Sequence, residues 1–326
     1  MALIMIVFMI ALASAILISL TDSTYVAMRV NGAAEQRIKA EYILKSVVNV
    51  AQVLIKTDTN QFDDPKEDAW MMFAEGREVP GELLALPEPN IRVSLLITST
   101  NAKIPLLEIY TTVGGAQPKW KTIVHKLFIT LGFDQPLPMN YAPDSSPLPD
   151  SKQLVSNLID YLDKDKENFP ADGFFPPGIE ETLPNGQTFP NSGSIDSLAS
   201  ELPAIPGFSP GRVQRLLPYI TKSRVKNINV NAAPMEVLLA VAANETEAAN
   251  IERCRNPAAG GRPIQNTASD LSECGVTDPN NLFAPEGKRY EVIAKVEYGT
   301  AMFIASADLD KTGAGRLPKI ESFQMY

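Results

Sequence analysis

Met1–Leu20, MALIMIVFMIALASAILISL, holds no charged residue, and the first charge of the chain is Asp22. About 20 apolar residues at the rise of an α-helix span ~30 Å, the hydrocarbon thickness of a bilayer. The run is rich in Ile, Leu, Met and Ala and contains neither Pro nor Gly, so it predicts one membrane-compatible helix. A cleaved signal peptide is the alternative. It wants a basic segment ahead of the apolar run, and its small-x-small triplet belongs at the end of that run. Here no Lys or Arg comes first, and Ala13-Ser14-Ala15 is followed by more apolar residues. Beyond the run, Ala40, Leu44, Val47, Ala51 and Leu54 recur at i, i+4, i+7, i+11 and i+14, with Ile43 and Val50 beside them. Glu35, Arg37, Lys39, Glu41 and Lys45 are interspersed. The pattern predicts a single helix of roughly 50 residues, apolar all round in its first half and amphipathic in its second.

The chain has 326 residues, so what lies outside the anchor is enough for one large or two ordinary domains. A formal net charge of −9 disfavours nucleic acid, because phosphate contacts need an excess of Lys and Arg, and it suits cations. The 26 prolines require long irregular stretches. Cys254 and Cys274 are the two cysteines, flanking a Gly- and Pro-containing loop. Outside the cytoplasm they would pair, and closing a loop of that size is worth on the order of 3 kcal/mol.

Further along, Lys56–Asn90 reads as loop with a short helix near Asp68–Glu75. Ile91–Ile97 and Pro105–Tyr110 read as strands, Val124–Leu131 as a helix, and Pro136–Pro149 as a linker or extended wrap. Ser151–Leu162 predicts a helix with Leu154, Leu158 and Leu162 on one face. After a second Pro-rich loop, Phe169–Pro190, come two short helical hairpins. The first places Ser209 as N-cap and Pro210 at the first helical position; the second has Pro234 in its first turn. Tyr290–Val296 and Ala301–Ser306 predict a hairpin, with a final strand near Ile320–Gln324. The economical architecture is α+β: a long helix whose second half packs on one antiparallel sheet, interrupted by a mostly helical insertion. The expected divisions are 1–22 for the membrane half of the helix and 23–118 for its amphipathic half with the first strands. The inserted helical domain takes 119–284 and the closing strands 285–326.

Gly207-Phe208-Ser209-Pro210-Gly211 spells G-x-S-x-G, but that elbow needs a strand before it and a histidine after it. Pro203 and Pro206 precede it, and the single histidine, His125, lies upstream. No zinc, P-loop or dinucleotide pattern is present, so the chain does not read as an enzyme. The ELPAIPGFSPG and NVNAAPMEVLLAV segments resemble helix-hairpin-helix units. With Arg212, Arg215, Lys222, Arg224 and Lys226 nearby, a membrane-anchored DNA-binding protein of the competence type is the rival function. The carboxylates point elsewhere. Asp160, Asp163, Asp165, Asp172, Glu180 and Glu181 cluster around a Pro-rich loop with little regular hydrogen bonding to organise it. Calcium takes six to eight oxygens at flexible geometry, and crowded carboxylates repel without a cation, so these six are the candidate ligands.

The N-terminal helix resembles that of the type IV pilins and pseudopilins, which are made with a basic leader removed by a prepilin peptidase. A chain in mature form would lack that leader. Most pilins carry Glu as the fifth mature residue; Met5 stands here, as in the K-type minor components. More specifically, the chain resembles the general secretion pathway protein K family, the large minor pseudopilins of type II secretion. The family's D-x-x-D-x-D run is matched by Asp160, Asp163 and Asp165. Its G-x-E-D is matched by Gly178-Ile179-Glu180-Glu181, with Glu in the last place. The E-L…V-x-G-M hairpin corresponds to Glu201-Leu202…Ile205-Pro206-Gly207-Phe208, and N-x-N-T-A-P to Asn229-Val230-Asn231-Ala232-Ala233-Pro234, with Ala for Thr. The family's D-x-x-G-x-x-N-L-N strand-turn is not reproduced; TSTNAKIPLLEI stands in its place. The resemblance implies a pilin-like fold with a large inserted domain that binds calcium. It implies a place at the tip of a periplasmic pseudopilus, anchored beforehand in the inner membrane. The implied partners are the I- and J-type minor pseudopilins, the major pseudopilin, the inner-membrane assembly platform and secreted cargo, and nucleic acid is not among them. Arg29, Arg37 and Lys39 would by the positive-inside rule keep the following side cytoplasmic, so the periplasmic orientation rests on the resemblance.

Overall fold

Helix α1 runs unbroken from Ala2 to Thr57, 56 residues in all, with no proline to interrupt it. The computed structural model describes residues 2–84, 91–111, 115–135, 149–180, 188–278, 280–311 and 316–326. All of the linker expected at 136–149 except Pro149, and Glu181, lie outside the described residues. Along the second half of α1, Ala40, Ile43, Leu44, Val47, Val48, Ala51 and Ile55 are buried. The stripe ends on Ile55, with the expected Leu54 only partly covered. In the first half, Ile16, Leu17, Ile18 and Leu20 are each more than 60% exposed, and Tyr25, Val26, Met28 and Val30 are exposed as well. Among the described residues no helix is long and apolar enough to cross a membrane. The span expected at Met1–Leu20 falls largely on side chains outside the described residues.

The stripe of α1 meets a five-stranded antiparallel sheet: β1 (Arg77–Glu78), β2 (Ile91–Ser99), β3 (Arg289–Tyr298), β4 (Ala301–Asp310) and β5 (Lys319–Met325), in that spatial order. Period-two alternation sends Val93, Leu95 and Ile97 inward from β2. The same alternation turns Tyr290, Val292, Ala294 and Val296 inward from β3, and Ala305, Ala307 and Leu309 from β4. Gln52 adds a buried polar tie from α1, donating to the Pro318 carbonyl at 2.6 Å. The expected β3–β4 hairpin and closing strand are both present.

The described residues between β2 and β3 form the insertion, whose longer helices are α2 (Pro118–Thr130), α3 (Ser151–Leu162), α4 (Pro210–Leu216), α5 (Met235–Val241), α6 (Glu245–Arg255) and α7 (Thr267–Glu273). They surround a second apolar core that includes Leu154, Leu158, Phe128 and Phe208. Short polar side chains start most of them: Asp150, Ser209, Asn244 and Asn266 each accept a backbone N–H of the first turn. One expectation fails. Pro105–Tyr110 is not a strand of the sheet: Leu106–Ile109 forms a 3-10 turn, and Ile104–Pro105 pairs in parallel with Ile220–Thr221. Leu106, Leu107 and Ile109 are all buried in the insertion's core, and an apolar run covered on every side carries no period to tell strand from turn.

Two measurements probe these cores. Leu44 is fully buried between α1 and the sheet, so Leu44→Ala is expected to cost about 2–5 kcal/mol in chemical denaturation, with secondary structure retained. Cys254 and Cys274 are disulfide-bonded, tying the end of α6 to the residue after α7. Replacing both by Ser is expected to cost on the order of 3 kcal/mol, and a non-reduced digest should show one linked peptide pair.

Candidate metal centre

Helix α3 delivers the carboxylates. Its inward face carries Asp160, fully buried, and Asp163 caps its C-terminal end. Asp160 ties down the loop that follows: Oδ1 accepts from the Phe169 N–H at 2.5 Å and Oδ2 from the Ile179 N–H at 2.7 Å. Only glycine fits at 178, since a Cβ there would lie 1.6 Å from Asp160 Oδ2. The loop backbone can therefore close onto the carboxylate and bring Glu180 alongside. Asp160, Asp163 and Glu180, all buried, each offer an oxygen within 4.8 Å of the others.

The remaining candidates divide. Asp165 is exposed beside Asp163, and the two line one side of a cleft of about 250 Å³ with Tyr110, Phe169 and Pro170. Its Oδ1 takes the Glu167 N–H at 2.9 Å. Asp172 stands apart from the group, paired with Lys121 and accepting the Phe174 and Phe175 N–H groups. That lysine holds its carboxyl down at about 2. Asn191, which sequence reasoning missed, joins the group instead. Its Nδ2 donates to Glu180 Oε1 at 2.5 Å and to the Asp165 carbonyl, and its backbone sits at a φ of 47°, a region asparagine tolerates. No sequence motif marks it, because it arrives from beyond the Pro-rich loop.

Two buried oxygens here lack a hydrogen-bond donor: Asp163 Oδ1 and Asn191 Oδ1. Such atoms cost about 1–3 kcal/mol each unless something fills the gap. A set made only of carboxylate, amide and carbonyl oxygens suits a hard cation such as calcium and not zinc. The electrostatics favour a proton or a cation at this group. Burial, then the charges of Asp165, Asp160 and Glu180, push the Asp163 carboxyl up to about 8; burial pushes Asp160 up to about 6.

The rival sites lose their chemistry. Ser209 caps α4 by accepting the Arg212 N–H at 3.3 Å. His125 is buried with its ring edge-on to Phe174 and Phe175, and burial lowers its pKa. Of the basic residues near the hairpins, Arg212 is buried and spent on the carbonyls of Pro149, Gly207 and Phe133. Arg224 holds the Leu107 and Gly193 carbonyls, and Lys222 the Asp196 carbonyl.

A carboxyl whose folded pKa exceeds its unfolded one holds its proton more tightly when folded. Its stabilisation is full in acid and is lost as pH climbs through the folded value. The metal-free chain is therefore expected to melt at falling temperature from pH 5 to pH 8. Asp160 and Asp163 contribute to that window here, and Asp63 and Asp68, raised by burial to about 8 and about 6, contribute elsewhere. Saturating calcium should flatten that decline, because it stabilises the ionised forms. Scanning calorimetry of the wild type and of Asp163→Ala with Asp165→Ala, each in chelator and in calcium, separates the share of this group. A calcium effect on the slope that the substitutions leave unchanged would remove the cation from the site.

No family model matches the chain, and no curated protein matches its sequence. Among solved structures it superposes with a TM-score of 0.61 on a chain of the GspK-GspI-GspJ complex from the enterotoxigenic Escherichia coli Type 2 Secretion System. The alignment covers 90% of this chain and 98% of that one at 11% identity. At that identity the likeness is one of fold. It bears out the architecture the sequence predicts: a long N-terminal helix on an antiparallel sheet that carries a large helical insertion.

Proposed function

We propose that this chain is a minor pseudopilin, placed at the tip of the periplasmic pseudopilus of a type II secretion system and held in the inner membrane before assembly. One observation carries the reading. The second half of α1 buries its stripe on the sheet, while apolar residues from Ile16 to Val30 find no cover within the chain. Each large apolar side chain left in water forgoes about 1.5–3 kcal/mol, so this half needs lipid or neighbouring helices. A fold shared with a member of a complex of three such proteins supports the second alternative after assembly. The partners would be I- and J-type minor pseudopilins, with the major pseudopilin below. The inserted block, longer than the rest of the described chain outside α1, would obstruct stacking of further copies, which favours a single copy at one end.

In the insertion, Asp160, Asp163 and Glu180 would hold calcium, with Asp165 and Asn191 contributing oxygens at the rim. The ion supplies the positive charge that lets buried carboxylates stay ionised, and thereby ties the end of α3 to Glu180 and Asn191.

The full chain, expressed with I- and J-type partners, is expected to elute as one ternary complex. Immunogold labelling should mark one end of each filament; labelling along the shaft would refute the placement. Calcium at a hundred times the Kd of this site should contribute about 2.7 kcal/mol of stability through it. Asp163→Ala with Asp165→Ala should remove that contribution.

A further inference from the structure

A second group of carboxylates lies outside the insertion. Asp58 follows directly on α1, and Asp63 and Asp68 come from the loop beyond it; all three are buried, Asp63 completely. Each offers an oxygen within 4.8 Å of the other two. Satisfying their oxygens one by one leaves a gap. Asp58 Oδ1 takes the Asn60 N–H at 3.2 Å and its Oδ2 the Lys311 ammonium at 2.7 Å. Asp68 Oδ2 takes the Asp64 N–H at 2.6 Å. Asp63 Oδ2 takes the Gly287 N–H at 3.1 Å and the Asn229 side-chain amide. Asp63 Oδ1 takes nothing, although it is sealed from solvent.

We infer that Asp58, Asp63 and Asp68 form a site for a hard divalent cation at the seam of helix, sheet and insertion, separate from the one on α3. The unfilled Asp63 Oδ1 sits in a wholly buried side chain within the group, where a carboxylate oxygen without a donor is costly. Lys311 offsets one of three negative charges, and a divalent ion neutralises what remains. The donors are all carboxylates, which selects calcium, magnesium or manganese over softer metals.

The surroundings are built to hold these groups still. A Cβ at position 287 would lie 2.3 Å from Ser99 Oγ, so only glycine lets that backbone N–H reach Asp63. The Gly287 carbonyl is held by the Tyr290 hydroxyl at 3.0 Å. Asp63 donates its own N–H to the Pro285 carbonyl at 2.9 Å. Asn229 reaches in from the insertion, so an ion here would clasp the end of α1, the start of β3 and the inserted block at once. The proposal does not depend on the function assigned above, and its residues are disjoint from the α3 site.

Trp70 gives the site its own reporter. It is buried, two residues past Asp68, with its ring 4.9 Å from that of Tyr290. Terbium, a luminescent stand-in for calcium, is titrated into the chelator-treated full chain in detergent, with excitation selective for tryptophan. Sensitised emission is expected, and Trp70→Phe should remove its Trp70-dependent part without lowering the calcium content measured by mass spectrometry. Asp63→Asn with Asp68→Asn should remove that part and also one calcium ion per chain. Asp163→Ala with Asp165→Ala should leave it intact, so failure here and failure at the α3 site are distinguishable. Should the double Asn variant not fold, wild type against Trp70→Phe still decides. Absence of Trp70-dependent emission in folded wild type, or unchanged calcium content in a folded double variant, overturns the inference and leaves protons as the neutralising charge.

Discussion

Strands β2 and β3 pair in perfect antiparallel register from Ile91↔Tyr298 to Ser99↔Tyr290, although the entire insertion separates them in sequence. That pairing is the constraint on which the rest depends. It forces the two ends of the insertion to within about 5 Å of each other, the spacing of neighbouring strands. The entropic cost of closing a long loop grows only logarithmically with its length, so a large insertion is tolerable if it folds on itself. It does: its core is a separate apolar cluster. Polar stitches then fix the insertion against the sheet. Lys103 of the insertion meets Glu291 of β3 at 2.6 Å, and the Asn229 side chain reaches Ser99 at the end of β2 at 3.4 Å.

The motif Asn229-Val230-Asn231 acquires a physical meaning at this seam. Asn231 accepts the Ile264 N–H at 2.9 Å and returns its amide to the Ile264 and Pro285 carbonyls at 2.8 and 2.9 Å. Asn229 turns the other way, toward Asp63 and Ser99. Asn229 ends a two-residue strand and Asn231 lies in the turn that follows, its N–H held by Asn229 Oδ1 at 3.1 Å, so the two side chains reach different partners and bridge the insertion to the lead-in of β3. Neither Asp nor Ser offers donor and acceptor on one planar group, which is what the paired contacts to Ile264 require.

What could be read in the sequence follows from how local each signal is. The α1 stripe, the Ser209 cap and the β3–β4 hairpin rest on periodicity or on neighbours within a few residues, and each is where the pattern puts it. Leu106–Ile109 was illegible because burial on all sides erases the period. The carboxylates show a similar division. Composition marked the acidic region, and Asp160, Asp163 and Glu180 do converge, but composition could not separate Asp172, whose partner Lys121 lies on another helix. Asn191 and the Asp58, Asp63 and Asp68 group escaped notice for the same reason. Their significance comes from Lys311, Gly287 and Asn229, contributed by distant stretches of chain.

The two buried acidic groups pose the same electrostatic problem and occupy comparable places. Each stands where a long secondary element ends and an irregular loop begins: α3 in one case, α1 in the other. Buried apolar side chains pin parts of each segment, Phe175 and Phe189 after α3 and Trp70 after α1. Hydrogen bonds to the buried carboxylates fix backbone beside them: Asp160 accepts from Phe169 and Ile179, and Asp68 from Asp64. The arrangement has a cost, since uncompensated buried charge destabilises by several kcal/mol. It is offset only when a proton or a cation completes the group. The α1–sheet contact, built around apolar side chains, carries no such requirement.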